Sequence, residues 1–349
     1  MSTPPDDGFG FWDDDDGFGG GERAKSRWPK RVLISLLVLV VVIVAAGALY
    51  ALSLDRSFNN NLKRADNMPP DTPTAPGENP RPTKNRSDHS INVVLMGSDS
   101  RDPSNMHDNG RSDTLMIVHL SSDRRHAYII SFPRDMYVDI PGHGRNKINA
   151  AYSWGGPQLS VQTLEQLTGT RMDHVAQVNF AGFVELTNTL GGVTIHNDHA
   201  FRSGRYNFPQ GEITIQGQQA LTFVRERHSL PNGDLDRAAN QRKVVQAILA
   251  KGLSGGTISN PLRFNNFVSG IAQDVTVDNG LTGAAIRSIA LSLRMTPGNI
   301  EQVQAPISGF RSIPGVGDVD VVDQTKMAEL AKDLKNDRMD VYVKKYPKS

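Results

Sequence analysis

The sequence predicts an α/β domain, a layered sheet with helices on both faces, preceded by one transmembrane helix and a disordered cytoplasmic tail. Three observations carry this. From Ser90 onward, short β-rich apolar runs alternate with longer amphipathic stretches, which is the pattern of a layered domain. Val32–Leu52, "VLISLLVLVVVIVAAGALYAL", is an uncharged run of twenty-one residues, long enough to cross a hydrocarbon core. The residues ahead of it are rich in Gly, Asp and Pro, a composition that cannot bury a core.

Residues 1–31 form the predicted cytoplasmic tail and 32–54 the membrane helix. A cleaved signal peptide would have a shorter apolar region ending at a small-residue cleavage site, and would not lie behind 31 residues. Arg23, Lys25, Arg27, Lys30 and Arg31 crowd the N-terminal flank, so that side is expected in the cytoplasm and the large C-terminal part outside the cell. Residues 55–89 carry six prolines between Met68 and Arg86 with no apolar period, and read as an extended extracellular linker. Thirty such residues in polyproline geometry reach about 90 Å at ~3.1 Å each. The domain proper spans 90–337, and 338–349 is expected to be a C-terminal tail.

Within the domain, Ile91–Met96, Thr114–Leu120 and Ala127–Ser131 read as buried strands. Pro157–Thr168 reads as a helix, with proline in its first turn and Gly169 to stop it. A second helix covers Phe180–Leu190, ending at Gly191-Gly192, and a strand resumes at Val193–Ile195. Arg237–Lys251, Pro261–Gln273, Gly283–Arg294 and Gln324–Asn336 supply further helices.

Composition excludes several functions. With no cysteine there are no disulfides, thiolate metal sites or cysteine nucleophiles. A net charge of +1 gives no footprint for nucleic acid. The phosphate-loop, HExxH and GxSxG patterns are absent, against a P-loop enzyme, a zincin and a serine hydrolase. His196 and His199 have no further ligands nearby in sequence, and fit a polar surface turn better than a metal site.

Charge instead gathers where strands are expected to end. Met96 is followed by Gly97, Asp99, Arg101 and Asp102, and Ser131 leads into Arg134 and Asp135. Arg111 and Asp113 precede a strand and share that edge if it runs antiparallel to its neighbour. Arg225, Arg227, Asp234, Arg237 and Gln241 come further on. If Val224–His228 is extended, Arg225 and Arg227 face one way, while Arg237 and Gln241 share a helix face. Arginine forks match phosphate oxygens, and carboxylates hold a hard divalent cation such as Mg²⁺ or Mn²⁺. The pattern therefore points to a polyphosphate held with a metal, against the alternative of surface salt bridges of little energy.

The segments "VVLMGSDSRD", "GRSDTLMIVHL", "ISFPRDMYVDIPG", "NKINAAYSWGG", "VNFAGFVELTNTLGGV" and "VRERHSLPNGDLDR" occur in this order. Together they resemble the LytR–CpsA–Psr family of bacterial cell-envelope proteins, strongly over Ile91–Leu249 and more loosely to Lys335. The resemblance implies that family's fold and a membrane-anchored phosphotransferase on the outer membrane face. Such an enzyme moves a glycopolymer from a polyprenyl-pyrophosphate carrier onto peptidoglycan through a phosphodiester. It implies that Asp99 and Asp113 hold Mg²⁺, and that Arg111, Arg134, Arg225, Arg227, Arg237 and Gln241 contact the pyrophosphate. Arg101 joins the substrate-binding set, and Asp234 supports the arginines or the acceptor. The family's DxxRxxRQ has an arginine where this chain has Asn240, so one phosphate contact is missing or Arg242 replaces it. A prenyl chain requires an apolar cleft, expected between the helices after Pro157 and Phe180. A pyrophosphatase and a non-catalytic lipid-pyrophosphate regulator remain the competing readings.

Overall fold

The computed structural model describes residues 63–72, 80–98, 112–253, 260, 263, 267, 269 and 274–347. Contacts divide the chain into Met1–Leu52 and Ser53–Ser349, and all described residues belong to the second unit. Val32–Leu52 lies outside them, and among the described residues no helix is long and apolar enough to cross a membrane.

The chain enters at β1 (Lys63–Ala65) and continues through β2 (Ile91–Ser98), β3 (Ser112–Leu120) and β4 (Ala127–Ser131). A hairpin of β5 (Tyr137–Ile140) and β6 (Gly144–Lys147) leads to helix α1 (Ala150–Thr168), strand β7 (His174–Asn179) and helix α2 (Phe180–Thr189). Next come β8 (Val193–Asn197), β9 (Phe201–Ser203), β10 (Tyr206–Phe208), β11 (Gly211–Ile215), α3 (Gly217–Arg225) and α4 (Asp234–Leu253). The last third holds β12 (Val275–Asp278), α5 (Gly283–Ser292), β13 (Ile300–Gln304) and the hairpin β14 (Ile307–Ile313)–β15 (Gly317–Val322). Helices α6 (Gln324–Lys335) and α7 (Met339–Lys345) follow.

Among the described residues, seven strands form one mixed sheet in the order β1-β12-β7-β2-β3-β4-β13. β2 runs antiparallel to β3 and parallel to β7, as the shared edge for Arg111 and Asp113 requires. Strand alternation sorts the side chains into two layers. Val94, Met96, Leu115, Ile117, Tyr128 and Ile130 face α1, α6 and α7. Val93, Leu95, Met116, Val118 and Ile129 face the C-terminal half of α4. Helices therefore cover both faces, and the α/β layering expected from sequence is present. A third apolar cluster ties α2 and α3 to β8, β10, β11 and α4 through Leu186, Leu221, Ile195, Phe208, Ile215 and Val244.

Two boundaries differ from the sequence expectation. The linker assigned to 55–89 holds β1, which pairs in parallel with β12, and three polar anchors. Asn67 donates to Gln177 at 2.8 Å, Lys84 pairs with Asp173 at 2.8 Å, and Arg81 reaches Glu165. Because polar contacts rather than an apolar stripe fasten this segment, no period marks it in the sequence. Likewise the expected tail 338–349 contains α7, whose Met339 and Tyr342 are buried against the core.

The Arg81–Glu165 pair is nearly sealed from water, with side-chain exposures of 6% and 3%. Arg81 Nε donates to Glu165 Oε2 at 3.0 Å and Nη2 to Oε1 at 2.8 Å. Nη2 also donates to the Met172 carbonyl, while the Met172 N–H donates to Glu165. Arg81 thereby joins the segment before β2 to the end of α1 and to the turn that follows it. Removing one partner strands a buried charge, at a cost of about 3–5 kcal/mol. Arg81→Ala should lower the unfolding free energy by that amount in urea titrations. A loss below about 1 kcal/mol, the range of exposed pairs, would show the contact to be incidental.

Candidate functional site

At the carboxyl ends of β2 and β7 the sheet opens into a cavity of about 680 Å³. Its floor is Leu95, Gly97, Ala176 and Val178, and its walls are α2, α3 and α4 through Phe183, Leu221, Val244 and Ile248. The helix after Phe180 thus lines the apolar space as expected. The helix through Pro157 does not, since α1 packs on the opposite face of the sheet. Gly97 does not break the strand either. β2 runs on to Ser98, and a Cβ at 97 would lie 3.0 Å from the Thr114 Cβ, so glycine permits close approach of β3 at the cavity edge.

The polar end of this cavity is made by arginines. Arg134, Arg225, Arg227, Arg237 and Gln241 all border it, brought from the loop after β4, the end of α3, the α3–α4 loop and the first two turns of α4. Asp234, the first residue of α4, holds three of them. Its Oδ1 lies 2.8 Å from Arg237 Nη2, 3.6 Å from Arg134 Nε and 4.0 Å from Arg227 Nη1. Arg237 donates its hydrogen bond to Oδ2, at 3.0 Å, and is buried. Gln241 turns its amide N–H to the Val224 carbonyl at 3.3 Å, joining α4 to the last turn of α3. Arg225 lies over the Phe180 ring, 4.4 Å from its centroid, so one side chain is both apolar wall and cationic rim.

Val224 and Arg225 close helix α3; they are not part of a strand. The two arginines therefore do not share a strand face as the extended reading required. Arg225 ends the helix, where a cation suits the dipole, and Arg227 follows the extended cap residue Glu226. The missed signal is Ala220, Leu221 and Val224 at helical spacing. Arg242, weighed as a substitute for the arginine absent at 240, turns away from the cavity. It is buried, donates to Ser131 Oγ, and burial pulls its guanidinium down to about 10.

Asp99, Arg101 and Arg111 lie outside the described residues. Asp113 lies in β3, and Ser98 pairs with Ser112, so the positions immediately before Asp99 and Asp113 are opposite each other across the ladder. Among the described residues no group of three or more His, Asp or Glu side chains could hold a metal. His196 pairs with Glu212 on the neighbouring strand, at 3.1 Å and exposed.

Asp320 joins the site without any mark in the sequence pattern. It lies in β15, and its N–H donates to the Asp135 carbonyl at 2.9 Å. Burial, with repulsion from the Asp135 and Asp234 carboxylates, pushes its carboxyl up to about 6, although Lys147 and Arg134 oppose the shift. Lys147 in turn holds Asp135 at 2.9 Å.

The LytR_cpsA_psr family profile matches residues 57–336. The chain belongs to that family. It is 30% identical over 302 residues to the polyisoprenyl-teichoic acid–peptidoglycan teichoic acid transferase TagU of Enterococcus faecalis, covering 86% of this chain and 94% of that protein. The TagU of Oceanobacillus iheyensis is 34% identical over 248 residues, 68% of this chain and 73% of the relative. In structure, the chain is similar to TagV of B. subtilis, with a TM-score of 0.62 and 25% identity over 72% of this chain and 98% of TagV. It is also similar to TagT bound to LIIa-WTA, with a TM-score of 0.58 and 27% identity over 74% and 96% of the two chains.

A raised acid pKa lowers stability as pH climbs through it. The folded chain favours protonated Asp320 below about pH 4, the unfolded value, and loses that preference between pH 4 and about 6. Asp320→Asn removes the titration. Relative to wild type, it should gain up to about 3 kcal/mol of unfolding free energy between pH 4 and pH 7.5. A constant difference across that range would refute a buried, raised carboxyl.

Proposed function

We propose that this chain is a membrane-anchored phosphotransferase that takes a glycopolymer from a polyprenyl-pyrophosphate carrier and joins it to peptidoglycan. The observation that carries the reading is the shape of the cavity, apolar along its length and closed at one end by arginines gathered on Asp234. Such a space fits an amphiphile with a greasy tail and an anionic head. The names of the relatives, teichoic acid transferases acting between a polyisoprenyl carrier and peptidoglycan, favour transfer to a sugar hydroxyl over hydrolysis by water or binding without turnover.

In this reaction the acceptor hydroxyl oxygen bonds to the phosphorus that carries the sugar. The bond from that phosphorus to the bridging oxygen breaks, and polyprenyl phosphate leaves with the electron pair. The hydroxyl proton passes to solvent or to a carboxylate beside Arg134. The protein supplies position and positive charge, and no side-chain nucleophile is required. Arg225 seats the carrier at the cavity rim, while Arg134, Arg227 and Arg237 face the phosphates, where guanidinium forks give bidentate bonds.

Asp99 and Asp113 are the residues that would hold Mg²⁺ or Mn²⁺. The Ser98–Ser112 pairing beside them and their two hard oxygen donors fit such an ion. A bound divalent cation would neutralise phosphate charge. The apolar run Val32–Leu52 with its basic flank would keep residues 1–31 in the cytoplasm and the domain outside.

Purified chain, a short pyrophosphate-linked glycolipid, Mg²⁺ and peptidoglycan should yield a polymer–peptidoglycan phosphodiester. Arg237→Ala should weaken glycolipid binding by about tenfold or more, since a charge-assisted bond contributes ~1.5–3 kcal/mol. If contacts tighten as charge builds on the leaving phosphate, kcat should fall further than affinity. Arg227→Lys should not restore full rate, because a point charge loses the fork. Wild-type binding and turnover in both variants would place the phosphates elsewhere. Asp99→Ala and Asp113→Ala should each remove the Mg²⁺ dependence with the fold intact, and unchanged metal dependence in both would withdraw the ion. For topology, protease added to spheroplasts should digest the domain and spare an N-terminal tag; loss of the tag would reverse the orientation.

A further inference from the structure

Arg134 borders a second space. On its other side lies a groove of about 610 Å³, lined by Asn146, Asn149, Ser153, Trp154 and Asp318 as well as Arg134. Most of these residues belong to the segment "NKINAAYSWGG", for which the phosphate cavity gives no use. The groove differs in chemistry from that cavity. Its side chains are amides, a hydroxyl, an indole and ions of both signs, with Lys147 already neutralised against Asp135 at 2.9 Å. It suits an uncharged, hydroxyl-rich ligand and not a phosphate or an alkyl chain.

Two features look built for such a ligand. Trp154 is 46% exposed, an unusual position for an indole, and its ring lies on His143 with centroids 5.0 Å apart and planes 29° apart. Buttressed on one side, it presents a flat apolar surface on which the C–H face of a sugar ring can stack. Its direction is set by a break in α1 directly after it, where Gly155 and Gly156 leave helical geometry and Gly156 takes φ 60°. Gly155 is also close-packed, since a Cβ there would come within 2.6 Å of the Leu159 side chain. Asn149 precedes the helix, yet its side chain makes no capping bond. Its amide is left with a donor and an acceptor for hydroxyls, and its backbone N–H is pinned to the Arg134 carbonyl at 3.2 Å.

We infer that this groove binds the acceptor, a glycan strand of peptidoglycan, with Trp154 as the stacking platform and Asn149 as a hydroxyl partner, and that it delivers the attacking hydroxyl to the phosphate side of Arg134. The inference rests on the two-substrate reading above. A transfer between two large molecules needs two binding sites that meet at the reacting phosphorus, and Arg134 is the residue common to both spaces.

The test is titration calorimetry of the full chain in detergent with lysozyme-released peptidoglycan tetrasaccharide, beside steady-state transfer kinetics. Trp154→Ala and Asn149→Ala should each raise the Kd for the tetrasaccharide and the KM for acceptor by about tenfold, with the glycolipid KM within about twofold of wild type. Trp154→Phe should recover most of the affinity, because a phenyl face still stacks. Tetrasaccharide binding by a chain that performs no transfer would defeat the transferase reading while supporting the groove. Wild-type tetrasaccharide affinity in both alanine variants, or a change in glycolipid KM instead, would overturn the groove assignment whether or not transfer occurs.

Discussion

One carboxylate makes the arginine cluster possible. Arg134, Arg227 and Arg237 come from separate parts of the chain, and three guanidinium groups at short range repel one another without a counter-charge. Asp234 lies within 2.8 to 4.0 Å of all three. Its place at the start of α4 also puts it where a helix favours negative charge. The cost of assembling the cations is thus met during folding, and an anionic ligand finds them already in position. Removing that carboxylate would disturb the directions of all three side chains together, an effect distinct from losing any one of them.

The scaffold around that contact explains why the anionic and apolar halves adjoin. α4 contributes Arg237 and Gln241 from its first turns and Val244, Val245 and Ile248 from its middle, so a single helix lines the cavity from charged end to apolar depth. α3 repeats the arrangement in reverse, with Leu221 and Val224 inside and Arg225 at the rim. Gln241 ties the two helices at the level where polarity changes.

Much of this was legible in the sequence. β2, β3 and β4 and helices α1, α2 and α4 follow from apolar periods, and the residues that gather on Asp234 were named from their place beside expected strand ends and turns. What escaped was held by polar or long-range contacts that leave no period. Lys63–Ala65 finds its partner strand only at Val275–Asp278, and Arg81 finds Glu165 across α1. Asp320 sits in "GDVDVV", which reads as an ordinary hairpin strand until the fold places it against Asp135. The end of α3 was misread because its Phe and Val residues suit a strand as well as a helix.

The sheet order has a consequence for how the molecule comes into being. Lys63 pairs with Thr276, so the edge nearest the start of the sheet cannot form until nearly four-fifths of the chain has emerged. Local hairpins such as β5–β6 close early, whereas this ladder waits for a partner far along the chain and gives the topology a slow, late step. Until β1 docks, the outer edge of β12 is unpaired and open to another strand. A chain without cysteine has no disulfide to hold such an intermediate together, so completion of the edge depends on β1 reaching β12 before a foreign strand does.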